Sequence, residues 1–209
     1  MNEVIILADG DFPRSGKLLD KLKNAQQIIC CDGAADKLLS AGLEPTWIVG
    51  DLDSVSPETK NLFAGRMVQF REQETNDLAK AFRFCKENDL CPDAVLGASG
   101  AREDHLLGNL SRFAEAAVDF PGCKLCTDYG YFCVFSGTCS FDASPGQQIS
   151  LFSFDPGQKI SSEGLKYPLN DLQLPWWHCG TLNEITSGKI HLKCSTDTPV
   201  LIFFANTGK

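Results

Sequence analysis

The first part of the chain alternates short apolar runs with segments whose apolar residues recur at helical spacing. Val4 to Ala8 is an apolar run that predicts a strand, and Leu18, Leu19 and Leu22 then follow at helical spacing. The alternation continues through residues 28–31, 34–41, 47–49, 78–85, 94–96 and 106–117. Strands that alternate with helices in this way predict an α/β domain with a wound, mainly parallel sheet.

The pattern changes after Pro121 and Gly122. The apolar residues then fall in short β-rich runs, at 132–135, 148–154, 189–194 and 200–204. Segments rich in Ser, Pro, Asp and Gly separate these runs, and such segments are typical of tight turns. We therefore expect two domains, an α/β domain over 1–121 and an all-β domain over 122–209 that is an antiparallel sandwich or barrel.

The composition excludes several classes of protein. The chain has 209 residues, of which 43% are hydrophobic and 22% charged, an ordinary globular composition that excludes disordered and fibrous folds. A formal net charge of −8 disfavours binding to a nucleic-acid backbone. No apolar run approaches the roughly 18 residues of a membrane span, and the run at Val4 to Ala8 is too short for a signal core. We expect neither a nucleic-acid nor a membrane partner.

Ten cysteines raise the question of disulfides or zinc. Cys123 and Cys126 form a C-x-x-C pair, but no second pair follows at the spacing of a zinc ribbon. The ten cysteines also make up a smaller share of the chain than the roughly 8–10% of disulfide scaffolds. The cysteines are expected to be buried thiols in a reducing compartment, the cytoplasm.

Acidic residues follow each of the first three predicted strands. They are Asp9, then Asp32 with Gly33, then Asp51 and Asp53. A wound sheet binds its ligands beyond the carboxyl ends of its strands, so these carboxylates should lie close together. Clustered carboxylates repel one another, and Mg²⁺ removes that conflict, since it prefers one or two carboxylates with water and phosphate oxygens.

Each of these features also has an ordinary explanation. An Asp-x-Asp pair in a loop can be a turn or a helix cap, and Gly100 can serve a tight turn as well as a phosphate cradle. Arg102 and His105 can form a solvated helix face, and Asp77 with Lys80 can be a surface pair at spacing i, i+3. Their convergence on one sheet edge favours a metal and phosphate site.

The motifs together resemble the thiamine pyrophosphokinase family. Matching segments occur in the family's order at 32–35, 45–54, 73–80, 97–109, 163–169 and 180–184. The sequence Gly-Asp-Leu-Asp-Ser at 50–54, combined with Gly-Ala-Arg-Glu-Asp-His at 100–105, is far more specific than either motif alone. The resemblance implies an α/β domain followed by an all-β sandwich, and a homodimer that transfers pyrophosphate from ATP to thiamine. The expected products are thiamine diphosphate and AMP, and the expected cofactor is Mg²⁺.

The resemblance and the strand-end pattern together define the expected site. The expected catalytic residues are Asp51, Asp53, Asp77, Arg102 and Asp104, of which Asp51, Asp53 and Asp77 are also expected to hold the metal. The residues expected to bind ATP and its phosphates are Asp32, Gly33, Asn76, Lys80, Gly100, Arg102, His105 and Asn109. Those expected to contact thiamine are Gln73, Trp177, Leu182 and Asn183.

Two positions depart from the family's pattern. Asn76 stands where the family has Thr, and it can still cap a helix, so that Asp77 keeps its place. Leu182 stands where the family has Ser and removes a hydroxyl from the expected thiamine site. Either Asp77 or Asp104 is expected to accept the hydroxyl proton of thiamine. The phosphate and metal residues precede Pro121, whereas the thiamine residues around Asn183 follow it. With the dimer that the resemblance implies, this division predicts active sites shared between the two chains.

Two other functions compete with this interpretation. Residues 51–55 match the Asp-x-Asp-x-Val pattern of haloacid-dehalogenase-like phosphatases, in which Asp51 would be the covalent nucleophile. That motif normally follows the first strand, whereas here it follows the third. The other alternative is a non-catalytic nucleotide-binding sensor that has lost thiamine contact through Leu182.

Overall fold

A computed structural model describes residues 3–207 of the chain. The protein divides into two compact units, the first ending at Asp128 and the second beginning at Tyr129. The division therefore falls after Asp128 and not after Pro121. The reason is that Lys124–Thr127 forms a strand that pairs in parallel with Ala94–Leu96, which makes it part of the first unit's sheet.

The first unit is a wound α/β domain, as the alternating pattern predicts. Its described strands are β1 Val4–Leu7, β2 Gln27–Cys31, β3 Trp47–Gly50, β4 Met67–Gln69, β5 Ala94–Leu96 and β6 Lys124–Thr127. Its helices are α1 Gly16–Asn24, α2 Ala34–Ser40, α3 Pro57–Leu62, α4 Asp77–Glu87 and α5 Glu103–Ala116, with a 3₁₀ turn at Ala64–Arg66. All these strands pair in parallel, in the order β6-β5-β1-β2-β3-β4.

The apolar residues of the strands and helices form the core of this unit. Every residue of β1 is buried, and so is every residue of β5. On α1, Leu18 and Leu22 turn the same face inward, as their i, i+4 spacing predicts. Burial on both faces of the sheet explains why its strands are continuous apolar runs and do not alternate.

The second unit contains two antiparallel sheets. Its described strands are β7 Gly130–Phe135, β8 Thr138–Asp142, β9 Gln148–Ser153, β10 Lys159–Glu163, β11 Leu172–Gln173, β12 Asn183–Glu184, β13 Lys189–Cys194 and β14 Val200–Ala205, and a 3₁₀ turn spans Trp177–Gly180. One sheet has the order β12-β9-β14-β7 and the other β11-β10-β13-β8. Ile149 and Ile202 of the first sheet share one core with Ile160 and Ile190 of the second. The expected β-sandwich is confirmed.

The parallel sheet of the first unit has a topological switch point beside β1. The chain runs from β1 to β2, β3 and β4 on one side, and β5 then pairs with β1 on the other. A crevice opens outside the carboxyl ends of the strands at such a point, and α/β proteins bind their ligands there. None of the helices within residues 3–207 combines the length and the apolar character that a membrane crossing requires.

Candidate active site

A cleft of about 460 Å³ lies in the first unit at the switch point. Its walls come from the segments after β1 and β5, from the segment after β3, and from the first turns of α4 and α5. The expected site residues that line it are Asp51, Gln73, Asn76, Asp77, Lys80, Gly100, Asp104, His105 and Asn109. Residues far apart in the sequence therefore meet in one cavity, as the strand-end pattern predicts.

The loops after β1 and β5 are joined by backbone hydrogen bonds. The N–H of Gly10 donates to the carbonyl of Gly97 at 2.7 Å, and the N–H of Asp11 donates to that of Ser99 at 2.8 Å. Gly97 has φ of 67°, and a Cβ there would collide with the carbonyl of Ala8. A side chain at this position would push the two loops apart, so the glycine is required for their close approach.

Three carboxylates of this unit lie together beside the cleft. One oxygen from each of Asp32, Asp51 and Asp53 lies within 4.8 Å of the others. Leu52, between two of these acids, has φ of 67°, and the N–H of Asp53 donates to Oδ1 of Asp51 at 3.2 Å. This tight turn brings two acids separated by one residue toward the same point.

Asp32 is the buried member of this acidic cluster, with only 3% of the residue exposed. Its Oδ2 accepts a hydrogen bond from the N–H of Ser54 at 3.1 Å, whereas its buried Oδ1 has no hydrogen-bond partner. Burial, together with the negative charges of Asp77 and Asp51, raises the pKa of Asp32 to about 6, against the lowering effect of the Ser54 N–H. An unpartnered buried carboxylate oxygen is costly unless a cation approaches it.

Asp51 is held in its ionised form. Gln73 donates through Nε2 to Oδ2 of Asp51 at 3.0 Å, and the ammonium of Lys80 lies 3.6 Å from the same oxygen. These contacts, that of Gln73 first, lower the pKa of Asp51 below its ordinary value. Lys80 also lies 3.0 Å from Oδ1 of Asp77. Asp77, which is expected as a metal ligand, lies outside the group of Asp32, Asp51 and Asp53 whose oxygens lie within 4.8 Å of one another.

Asn76 and Asn109 connect the start of α4 to the loop after β5. Oδ1 of Asn76 accepts from the N–H of Ala79 at 3.0 Å and so caps α4. Its Nδ2 donates to Oδ1 of Asn109 at 3.0 Å, and Asn109 donates to the carbonyl of Ala98, also at 3.0 Å. The amide performs both tasks at a position where the family has Thr.

Arg102 and Asp104 form a bidentate pair at the start of α5. Nε and Nη2 of Arg102 donate to the two carboxylate oxygens of Asp104 at 3.1 and 2.6 Å. The Arg102 side chain is 70% exposed, and its hydrogen bond lowers the pKa of Asp104. The N–H of His105 also donates to Asp104. An exposed guanidinium of this kind is available to an anionic ligand.

A smaller pocket of about 320 Å³ lies in the second unit. Leu182 and Asn183 line it together with Tyr167, Leu151 and Cys179. Leu182 is 75% exposed and has φ of 60°. A side chain that is so largely exposed to solvent does not contribute to the packing of the core of its own unit.

Asn183 has a structural function in the second unit. Its Oδ1 accepts from the N–H groups of Tyr167 and Glu184, at 3.1 and 2.9 Å, and its Nδ2 donates to the carbonyl of Tyr167 at 2.7 Å. Trp177, the other expected thiamine contact, packs edge-on against Phe152 and Phe154. Both side chains are held by their own unit.

Some residues of the cleft lie outside the expected set. Asp9 lines it, and Lys37 fixes Asp9 through contacts at 2.8 Å to Oδ1 and 2.7 Å to the backbone carbonyl. Gly33, one of the expected residues, lies so close that a Cβ there would meet Oδ2 of Asp9 at 2.8 Å. The position of Asp9 directly after the first strand was the available signal, but no motif singled out Lys37.

Both units match sequence models of one family. A model described as "Thiamin pyrophosphokinase, catalytic domain" matches residues 18–127, and one described as "Thiamin pyrophosphokinase, substrate-binding domain" matches residues 130–203. These matches do not favour the phosphatase or the sensor.

Similar proteins carry the same name. Thiamine pyrophosphokinase 3 of Oryza sativa subsp. japonica is 33% identical over 42% of this chain and 42% of its own length. Thiamine pyrophosphokinase of Bacillus subtilis is 25% identical over 66% of this chain and 67% of its own. The alignments with the two rice proteins span about half of those relatives, 42% and 53%.

Solved structures of similar proteins share the fold. The crystal structure of thiamine pyrophosphokinase from Bacillus subtilis superimposes with a TM-score of 0.76 at 22% identity, covering 99% of this chain and 100% of that one. A family protein from Enterococcus faecalis superimposes with a TM-score of 0.78 at 18% identity, with coverage of 99% and 100%.

Proposed function

The chain belongs to the thiamin pyrophosphokinase family, and on that premise we propose that it transfers pyrophosphate from ATP to the hydroxyl of thiamine. The products would be thiamine diphosphate and AMP. One observation carries this proposal: the acidic cluster of Asp32, Asp51 and Asp53 stands beside a glycine-containing loop at the switch point of the sheet. That combination suits a nucleoside triphosphate with its metal ion.

The donor set fits Mg²⁺. Asp51 and Asp53 offer carboxylate oxygens next to Oδ1 of Asp32, a buried atom that has no hydrogen-bond partner. Hard oxygen ligands of this kind are those that Mg²⁺ accepts. We therefore propose Asp32, Asp51 and Asp53 as the residues that hold it. Asp77 forms an ion pair with Lys80. When bound, Mg²⁺ supplies positive charge that neutralises the phosphate oxygens of ATP.

The remaining residues of the cleft would position the reactants. Phosphoryl transfer needs little covalent participation by the protein, and positioning with charge neutralisation supplies most of the catalysis. Arg102, through an exposed guanidinium, and Lys80, through a buried ammonium, would contact the phosphate groups. Asp77 and Asp104 both line the cleft, where either carboxylate can accept the proton of the attacking hydroxyl.

For thiamine, we propose the pocket of the second unit. Leu182 supplies an exposed apolar contact in place of the family's hydroxyl, and Asn183 shapes the wall through its bonds to Tyr167. In the first unit, Gln73 donates a hydrogen bond to Asp51 and lines the cleft. We propose that it contacts thiamine there. Trp177 packs on Phe152 and Phe154 and is not among the residues that line this pocket. Its proposed contact with the heterocycle rests on its position shortly before Asn183 in the chain.

We propose that the active form is a homodimer with shared sites. The residues proposed for metal and phosphate belong to the first unit, and those proposed for thiamine, Gln73 excepted, belong to the second. Two-fold symmetry would combine the first unit of one chain with the second unit of its partner, and would do so twice. Cys30, Cys31 and Cys85 are buried free thiols, which supports a reducing compartment such as the cytoplasm.

The reaction is tested by incubating the protein with ATP, Mg²⁺ and thiamine and separating the nucleotides. We expect AMP to form in step with thiamine diphosphate. ADP as the coupled product would indicate a simple phosphokinase. Release of free phosphate without dependence on thiamine would indicate the phosphatase instead, and nucleotide binding without turnover would indicate the sensor.

A further inference from the structure

The loop that carries Asp51 and Asp53 is anchored by a carboxylate that does not line the cleft. Asp36, in the first turn of α2, accepts two hydrogen bonds through Oδ1, from Oγ of Ser56 at 2.7 Å and from Oγ1 of Thr59 at 2.5 Å. Its Oδ2 accepts a third from the N–H of Ser56 at 3.0 Å. All of these donors belong to the start of α3, directly after the acidic loop.

The same side chain is rigidly attached to the loop that carries Asp32. Helix α2 begins directly after Gly33, and the N–H of Asp36 donates to the carbonyl of Gly33 at 3.1 Å. On the other side, Ser56 is the N-cap of α3, and its Oγ accepts from the N–H of Thr59 at 3.2 Å. Asp36 thus clamps the helix after one acidic loop to the helix after the other.

A clamp is needed here because the two loops carry like charges. The oxygens of Asp32, Asp51 and Asp53 lie within 4.8 Å of one another, and their repulsion favours separation of the loops. The N–H of Ser54 donates to Asp32 and links the two loops beside the cluster. The three bonds to Asp36 lie outside the cluster. Burial opposes ionisation of Asp36, but the bonds from Thr59 and Ser56 outweigh it and lower its pKa.

We propose that Asp36 is a positioning residue of the cation site, which holds Asp51 and Asp53 against Asp32 before a divalent cation binds. The inference rests on the proposed function only in taking these three acids as the ligand set. Residues that orient metal ligands without touching the metal commonly change its affinity by 10–100-fold. Asp36 acts one step further out, so the lower end of that range applies.

The test measures cation binding without turnover. Mn²⁺ replaces Mg²⁺, and the free ion is followed by its paramagnetic resonance signal in wild-type protein and in Asp36→Ala. We expect about tenfold weaker binding in the variant. Thr59→Val keeps the shape of a buried side chain and removes only the hydroxyl, which donates to Asp36 and accepts from Oγ of Ser56. It should fold as the wild type does and bind the ion about twofold to threefold more weakly.

The matched control is Asp93→Ala. Asp93 also accepts a backbone hydrogen bond, from Val4 at 2.9 Å, but it precedes β5 at the opposite end of the strands. We expect it to lower stability towards urea and to leave Mn²⁺ affinity unchanged. Unchanged affinity in both Asp36→Ala and Thr59→Val would overturn the positioning role alone. Wild-type binding no tighter than that of Asp51→Asn would overturn the cation site as well.

Discussion

The ammonium of Lys80 lies 3.0 Å from Oδ1 of Asp77, one turn earlier on α4, and its side chain is only 2% exposed. Burial alone would lower the pKa of Lys80, but the hydrogen bond and charge of Asp77 raise it above its ordinary value. A charged lysine is therefore held beneath the cleft, where it neutralises part of the charge of Asp77 and Asp51.

Replacement of Lys80 by Met should destabilise the metal-free protein. Removing one partner of a buried ion pair leaves the other charges uncompensated, and about 2–4 kcal/mol of unfolding free energy should be lost. Added Mg²⁺ should restore more stability to Lys80→Met than to the wild type, since the cation compensates the same carboxylates. Urea unfolding with and without Mg²⁺ measures both effects.

The matched control for that change is Lys86→Met on the same helix. Lys86 pairs with Asp119, but both side chains are more than half exposed, so its loss should change stability by less than about 1 kcal/mol. Equal effects of Lys80→Met and Lys86→Met would show that burial of Lys80 has no electrostatic consequence.

Asp51 and Asp53 should be essential for turnover. Asp51→Asn or Asp53→Asn removes a charge that is proposed to hold Mg²⁺, and we expect a loss of about 100-fold or more in kcat with the fold intact. The surface change Asp20→Asn, on α1, should leave kcat unaltered. Rates at saturating Mg²⁺ with circular dichroism of each variant provide the measurement. Near-normal turnover of both cleft variants would contradict the metal assignment.

Much of this site could be predicted because its signals are local in the sequence. Asp51 follows a buried apolar strand, and parallel strands end at one edge of a sheet, so its proximity to Asp32 follows from the hydrophobic pattern alone. The placement of Asp77 could not be predicted in the same way. It depends on whether α4 directs Lys80 into the protein or into solvent, and a pair at spacing i, i+3 looks identical in both cases.

The contacts of Asp36 and of Asn183 could not be predicted from the sequence either. Asp36 looks like an ordinary acid in the first turn of a helix, and its partner Ser56 lies 20 positions away. Asn183 matches a motif for thiamine contact, yet its amide holds the backbone of Tyr167. Contacts between loops depend on tertiary geometry, which spacing along one chain does not encode. The unit to which β6 belongs could not be predicted for a related reason, since its pairing with β5 decides it.

Asp32 should make the stability of the metal-free protein fall as pH rises. Its pKa, near 3.8 in the unfolded chain, is raised to about 6 in the folded protein, so between these values the folded state holds a proton that the unfolded state has released. Stability is therefore lost between about pH 4 and pH 6. Asp32→Asn removes this penalty and should be more stable than the wild type by about 3 kcal/mol at pH 7, with no difference below pH 4.

Urea unfolding across this pH range in the presence of EDTA measures the effect. Saturating Mg²⁺ should reverse the order at pH 7, because the cation binds the ionised wild-type carboxylate and not the amide. Asp104→Asn is the control of opposite sign, since Arg102 lowers the pKa of that carboxyl. A constant difference between Asp32→Asn and the wild type from pH 4 to pH 7 would contradict the raised pKa.

The shared active site is tested by mixing two inactive variants. Asp51→Asn removes a metal ligand in the first unit. Leu182→Lys, at a side chain that is 75% exposed, places a positive charge against the cationic ring of thiamine without disturbing the core of the second unit. Leu62→Lys, at an equally exposed leucine on α3, is the control that should retain activity.

When the two inactive chains are dissociated, mixed and reassociated, random pairing makes half of the dimers mixed. If each site combines the first unit of one chain with the second unit of its partner, both lesions in a mixed dimer fall in one site, and the other site is intact. Roughly a quarter of wild-type activity should then return. If each chain instead holds a complete site of its own, every site carries a lesion and no activity returns. Failure to recover activity, with mixed dimers demonstrated by differently tagged chains, would exclude the shared site.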